Sequence, residues 1–137
     1  MKNIFVYGSL IFDEVWAAIA SRQYRTQYAT LEGYARYRVK AETYPGLVRS
    51  PSGRVQGLVR MGVTVADVRK LDQFEGDEYR RRPMWVTTGH GTQIRVETYV
   101  IRLSAMHRLT RKHWDPEWFR DNGLENFLAR YSGTVRV

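Results

Sequence analysis

The sequence predicts a compact α+β domain in which a strongly curved sheet or small barrel carries flanking helices. Three observations predict it. Patterns of the two periodicities follow one another in the order strand, helix, several strands, helix, β-hairpin, helix. No repeat, linker or low-complexity tract interrupts the 137 residues, so a single domain, 1–137, accounts for the length. Hydrophobic residues make up 43% and charged residues 26%, the balance of an ordinary globular chain with enough apolar surface for a core.

Ile4 to Tyr7 is a short apolar, β-branched and aromatic run, read as a buried strand that Gly8 and Ser9 break at once. A helix follows, with Asp13 the expected cap and Val15, Trp16, Ile19 and Ala20 an apolar stripe. In the loop between them the amides of Gly8, Ser9 and Leu10 are able to converge on an anion, although Gly-Ser after a strand is also simply a turn. Ala29 to Val39 alternates as a strand, with Tyr37, Val39 and Ala41 on one side and Arg36, Arg38 and Lys40 on a solvated other side. Tyr44-Pro45-Gly46 and Ser50-Pro51-Ser52-Gly53 read as turns. Val55 to Met61 is the next strand, in which Gly57 marks a bulge or a close backbone approach.

Thr64 is a good N-cap and Asp67 stands three residues on, so Val65 onward reads as a helix that Gly76 ends. Its apolar residues are Val65, Val68, Leu71 and Phe74. Glu75, at i+4 from Leu71 and i+7 from Val68, falls on the same face. A carboxylate that is partly desolvated and near the negative end of a helix has a raised pKa and suits a general base near neutral pH. Spacing alone leaves a second reading open, an exposed last-turn residue beside Asp72, Asp77 and Glu78. Tyr79 to Thr88 and Gln93 to Ile101 then form a hairpin about Gly89-His90-Gly91, with Pro83 placing the first strand at an edge or bulge. Asp115 caps a last helix with Pro116 at its first position and Phe119 inward; Gly123 interrupts it, and Leu124 to Tyr131 packs over the sheet.

Composition removes several chemistries. Without cysteine there is no disulfide framework, thiolate zinc site or cysteine nucleophile. His90 lies in a turn, and His107 and His113 are six apart, which suits neither a helix face nor a common metal pair. Ser9 lies in no nucleophile elbow, so its backbone is the better candidate. Trp16, Trp85, Trp114 and Trp118 each sit in an apolar periodic stretch, as core or groove aromatics do. The net charge of +8 invites a nucleic-acid reading, but Lys and Arg are spread along the chain rather than gathered, so nucleic acid is an unlikely partner. The N-terminal apolar run is too short to span a membrane, and a cytoplasmic protein is expected.

Taken together, the IFVYGSL and IFDEVW segments, ATLEGYARYRV, the YPGLV turn, the strand Val55 to Leu58, LDQFEGDEYRRRP and the C-terminal WDPEWF resemble the γ-glutamylcyclotransferase superfamily, most closely its small AIG2-like branch. That resemblance runs almost end to end and implies a small closed mixed β-barrel with helices and a cavity beside the YGSL loop. It further implies that Tyr7, Gly8, Ser9 and Leu10 bind the α-carboxylate of a γ-glutamyl group and that Glu75 is the general acid/base. Tyr44 and Tyr79 would stand near the cavity. The implied reaction is closure of the substrate's own α-amine onto its γ-carbonyl to give 5-oxoproline and a free amine. It needs no metal and no cofactor. The alternative is a non-catalytic small-carboxylate-binding module on the same scaffold. Arg80 to Arg82 either attract an anionic substrate or are solvated strand positions. Oligomeric state is left open.

Overall fold

In the computed structural model, which describes residues 1–131, the chain forms β1 (Lys2–Val6), α1 (Asp13–Ile19), β2 (Thr26–Val39), β3 (Pro45–Val63), α2 (Val65–Glu75), β4 (Tyr79–Thr88), β5 (Gln93–Ile101), β6 (Leu109–His113), α3 (Pro116–Asn122) and α4 (Leu124–Tyr131). The sheet runs β3-β1-β5-β4-β2-β6, and β2 also pairs with β3. That last pairing closes five strands into a barrel and leaves β6 as an extra strand on β2. The barrel is mixed, because β1 and β5 are parallel while the other pairs are antiparallel. Closure satisfies the backbone groups that an open sheet would leave at its edges.

β1 reads as a continuous apolar run because both its faces are buried. Phe5 points into the barrel with Leu31, Leu47, Val59 and Val86, while Ile4 and Val6 point the other way, toward Trp16, Leu71 and the helices. Phe119 is fully buried and joins the C-terminal helices to this outer core, with its ring against Phe12, Trp114 and Phe127. Gly57 in β3 explains how β1 and β3 lie so close. A Cβ there would stand 2.5 Å from the Val6 carbonyl oxygen and 2.7 Å from the Phe5 ring, so the close approach is the one that applies. Pro83 sits in the part of β4 that only β5 partners, since β2 reaches β4 at Thr87 and Thr88 alone, and the missing N–H is left facing outward.

Several elements differ from the expectations. Asp13 is the first residue of α1 rather than its cap; Phe12 holds the cap position, and the Asp13 carboxylate pairs with Arg60 at 3.1 Å. Pro45 and Gly46 already belong to β3, opposite Arg38 and Tyr37, and the chain turns earlier, at Lys40 to Tyr44, with exposed Ala41 at φ 63°. Ser50 to Gly53 does not end a strand. It bulges from β3 between Arg49 and Arg54, which face Tyr34 and Glu32, and pairing resumes on the same partner. β6, LTRKH, carries no strand pattern of its own. Trp85 is largely exposed rather than a core or groove aromatic. The side of β2 expected to be wet is covered as well: Arg36 and Arg38 stack over Trp114 and Trp118, at 5.2 and 3.9 Å from the ring centroids.

Candidate active site

A cavity of about 370 Å³ opens between the end of β1, the end of α2, the Glu42 to Pro45 segment and α4. That size suits a small molecule of dipeptide dimensions. Glu75 reaches it because α2 begins and ends where local chemistry dictates. The Thr64 hydroxyl accepts from the Asp67 amide at 3.2 Å, and the helix stops at Gly76. Within α2, Val68 and Leu71 are buried and turn Glu75 toward the cavity rather than into bulk water, although Val65 at the helix start is exposed. Phe74, which also lines the cavity, packs edge-on against Phe127 of α4. No side chain among the described residues donates a hydrogen bond to the Glu75 carboxylate. It is surrounded by protein yet remains in touch with cavity solvent. Burial, and after it the negative charge of Asp72, pushes its pKa up to about 8.

Opposite Glu75 the chain leaves β1 through Tyr7 and Gly8 into a 3-10 turn, Ser9–Ile11. Gly8 is required by crowding rather than by its dihedral angles, since a Cβ there would lie 2.9 Å from two carbons of the Pro45 ring. The Gly8 and Ser9 carbonyls accept from the amides of Ile11 and Phe12 at 3.0 and 3.1 Å, while the amides of Gly8, Ser9 and Leu10 have no protein partner among the described residues. Three adjacent residues therefore offer unpaired donors beside the cavity, an arrangement that attracts anions.

The tyrosines form the cavity wall, and their hydroxyls are already engaged. Tyr7 donates to the Tyr99 carbonyl at 2.5 Å and Tyr79 to the Pro45 carbonyl at 2.6 Å. Tyr44 lies between Glu42 and Glu78, donating over 3.1 and 3.3 Å, and burial together with those carboxylates pushes its pKa up to about 12. Burial also raises the pKa values of Tyr7 and Tyr79, so both stay protonated donors. Tyr99 lines the cavity too and donates to Asp72 at 2.6 Å; Asp72 in turn receives Arg81 at 3.0 and 3.2 Å. Sequence reasoning missed Tyr99 and Asp72 as site residues. Tyr99 is a buried position on an alternating strand, which gives no hint that its hydroxyl reaches α2. Arg81 is spent on this network, and Arg80 and Arg82 are exposed; none of the three lines the cavity.

Residues 4–116 match the family described as Gamma-glutamyl cyclotransferase, AIG2-like. The chain belongs to that family. Protein AIG2 C of Arabidopsis thaliana is 37% identical over 130 residues, which span 94% of this chain and 78% of that protein. The solution structure of another Arabidopsis thaliana protein superposes with a TM-score of 0.73 at 35% identity, covering 98% of this chain and 82% of the other. A structure described as gamma-glutamyl cyclotransferase, 16% identical, superposes at 0.69 over 96% of this chain and 86% of that one, a likeness of fold. This AIG2-like chain keeps the closed five-stranded mixed barrel with an added strand and helices. All three histidines are exposed, and among the described residues no cluster of His, Asp or Glu has the spacing to hold a metal ion. No described helix is long and apolar enough to cross a membrane.

Proposed function

We propose that this chain is a γ-glutamylcyclotransferase that releases 5-oxoproline and a free amine from a γ-glutamyl-amine or γ-glutamyl-amino acid. The observation that carries the reading is the pairing of Glu75, unpaired and with its pKa pushed up to about 8, with the three unpartnered amides of Gly8, Ser9 and Leu10 in one cavity. The amides hold the substrate α-carboxylate. Glu75, in its ionised form, removes a proton from the adjacent α-ammonium. The freed amine attacks the γ-carbonyl carbon and the tetrahedral centre collapses. The C–N bond to the leaving amine breaks as Glu75 returns the first proton to that nitrogen and the carbonyl re-forms. The ring nitrogen then gives up its second proton to Glu75, which passes it to the released amine, so the products are the five-membered lactam and an ammonium ion and Glu75 is ionised again.

The nucleophile belongs to the substrate, so the enzyme need only fold it, move a proton and exclude competing water. Intramolecular closure in an aligned geometry lowers the barrier by several kcal/mol on its own. Glu75 adds proton transfer, worth roughly 10²- to 10⁴-fold. Tyr7 and Tyr79 contribute rigid walls rather than free donors, since their hydroxyls are held by backbone carbonyls. Tyr44 lines the same cavity with its hydroxyl shared between Glu42 and Glu78.

Mass spectrometry for 5-oxoproline tests the reading, with wild type and Glu75→Gln incubated with γ-glutamyl dipeptides, amines, ε-lysine isopeptides and glutathione. Wild type is expected to form the product from at least one substrate class, and Glu75→Gln to lose about 10²- to 10⁴-fold while remaining folded. An active Glu75→Gln would sink the role of the residue. Folded wild type that forms no product but still binds small carboxylates would replace the enzyme by a binding module.

A further inference from the structure

The YGSL turn is gripped from behind by two arginines, and neither lines the cavity. Arg36, half-buried on β2, donates to the Tyr7 carbonyl at 2.7 Å and to the Gln56 carbonyl at 3.1 Å, with its guanidinium over Trp114. Arg60, fully buried on β3, donates to the Leu10 carbonyl at 2.7 and 3.3 Å and to the Ile11 carbonyl at 3.0 Å, above the Trp16 ring.

The peptide planes account for what these contacts do. A trans peptide points its carbonyl and its N–H in opposite directions, and the described chain has no cis bond. Each plane that carries an unpaired amide is therefore oriented by whatever holds its carbonyl. The Ser9 and Leu10 amides are set within the turn, because the Gly8 and Ser9 carbonyls accept from Ile11 and Phe12. The Gly8 amide is not. Among the described residues its plane is held only through the Tyr7 carbonyl, and the holder is Arg36. Arg60 fixes the far end, where the turn passes into α1. With the Gly8 and Ser9 carbonyls engaged within the turn and those of Tyr7, Leu10 and Ile11 held from outside by the arginines, the amides are left for the cavity, and two positive charges lie beneath them.

We propose that Arg36 is a positioning residue for the anion site of the YGSL turn: it aims the Gly8 N–H at a substrate carboxylate it never touches, while Arg60 anchors the same turn at its other end. The inference rests on the carboxylate placement proposed above. It assigns a role to a side chain that strand alternation puts in solvent.

The test uses 5-oxoproline, which presents the carboxylate without reacting, titrated into ¹⁵N-labelled wild type, Arg36→Met and Arg36→Lys. Methionine keeps a flexible apolar stem against Trp114 and removes the donors; lysine keeps the charge but not the fork. In wild type the amide resonances of Gly8, Ser9 and Leu10 are expected to move on titration. Arg36→Met should bind about tenfold to a hundredfold more weakly, the loss expected for a charge-assisted contact, and Arg36→Lys should fall between. With a turnover substrate the loss should appear in KM, with the pH at which Glu75 titrates in the rate profile unchanged. Wild-type affinity and KM in a folded Arg36→Met would overturn the inference alone, as would a variant that loses thermal stability with no change in affinity. Should Arg36→Met not fold, Arg36→Lys carries the same comparison. Amide resonances that stay still in wild type would overturn the carboxylate placement and this inference together. Amides that move, with binding dependent on Arg36 but no 5-oxoproline formed from any substrate, would support the inference and remove only the catalytic reading.

Discussion

Glu75→Gln should make the protein more stable, by an amount that grows with pH from about 4.5 to about 8. The folded chain raises the Glu75 pKa from 4.5 to about 8, chiefly by burial. A raised carboxyl pKa means that the folded state binds the proton more tightly than the unfolded state does. Below about pH 4.5 both states are protonated, and the substitution changes little. From there to about pH 8 the unfolded chain has released its proton while the folded chain still holds it, so each step up in pH erodes wild-type stability. Above that range the loss is complete. At about 1.4 kcal/mol for each pH unit the ceiling is roughly 5 kcal/mol. Because the carboxylate touches cavity solvent, about half of that, ~2–3 kcal/mol, is the expected size. In a chain of this length that is a gain of roughly 8–12 °C in Tm for Glu75→Gln over wild type at pH 9, shrinking toward zero at pH 4.5. Thermal unfolding of both proteins across that range measures it, and titrations common to both cancel in the difference. A Tm difference that is flat with pH, or a Glu75→Gln protein less stable at pH 9, would refute the claim that burial disfavours the charged form. The same property sets the rate profile: 5-oxoproline formation should rise with pH through the region of 8 as the base ionises.

Two further substitutions test how the site is held. Gly57→Ala would force a methyl to within 2.5 Å of the Val6 carbonyl and 2.7 Å of the Phe5 ring. It should cost about 1–3 kcal/mol by urea denaturation and weaken activity, because β1 leads directly into Tyr7 and Gly8; an alanine variant as stable as wild type would show that the two strands separate freely. Tyr99→Phe removes the 2.6 Å bond to Asp72. A loss of about 1.5–3 kcal/mol in the same assay is expected for a bond to a charged acceptor, and unchanged stability would mean that the bond is absent in solution.

What could be read in advance follows from whether the signal is local. Thr64, Asp67, Leu71, Glu75 and Gly76 lie within four turns of chain; capping fixes the helix ends, and spacing puts Glu75 on the face of Val68 and Leu71 but leaves open whether that end of the face is covered. The strand, glycine and helix around Gly8 are equally local. The misread features depend on distant partners. β6 has one apolar residue, Leu109, and becomes a strand because Tyr37 and Val39 of β2 offer it an open side. Arg36 obeys the alternation of a solvated face, but Trp114 and Trp118 come from the far end of the chain to cover that face. Tyr99 reaches Asp72 across 27 residues. Ser50 to Gly53 carries the composition of a turn and does break the register as a bulge, yet the pairing on either side is with the same strand, which no property of the four residues reveals.

The arginines are the largest case of this kind, and they bear on the charge of +8. A surface that binds phosphates has to turn its guanidinium groups outward and keep their donors free. Here Arg36, Arg60 and Arg102 donate to main-chain carbonyls, Arg81 is shared between Asp72 and Glu97, Arg108 pairs with Glu78 and Glu42, and Arg38 donates to the His113 carbonyl while lying on Trp118. A guanidinium suits this use because its five donors spread in a plane and can satisfy several acceptors that the sheet leaves unpaired, whereas a lysine ammonium is a compact point charge. A short barrel with bulges, a wide turn and a 3-10 segment beside its cavity has many such carbonyls. These six arginines are pinned in that way, with their charge directed at the protein's own carbonyls, carboxylates and rings.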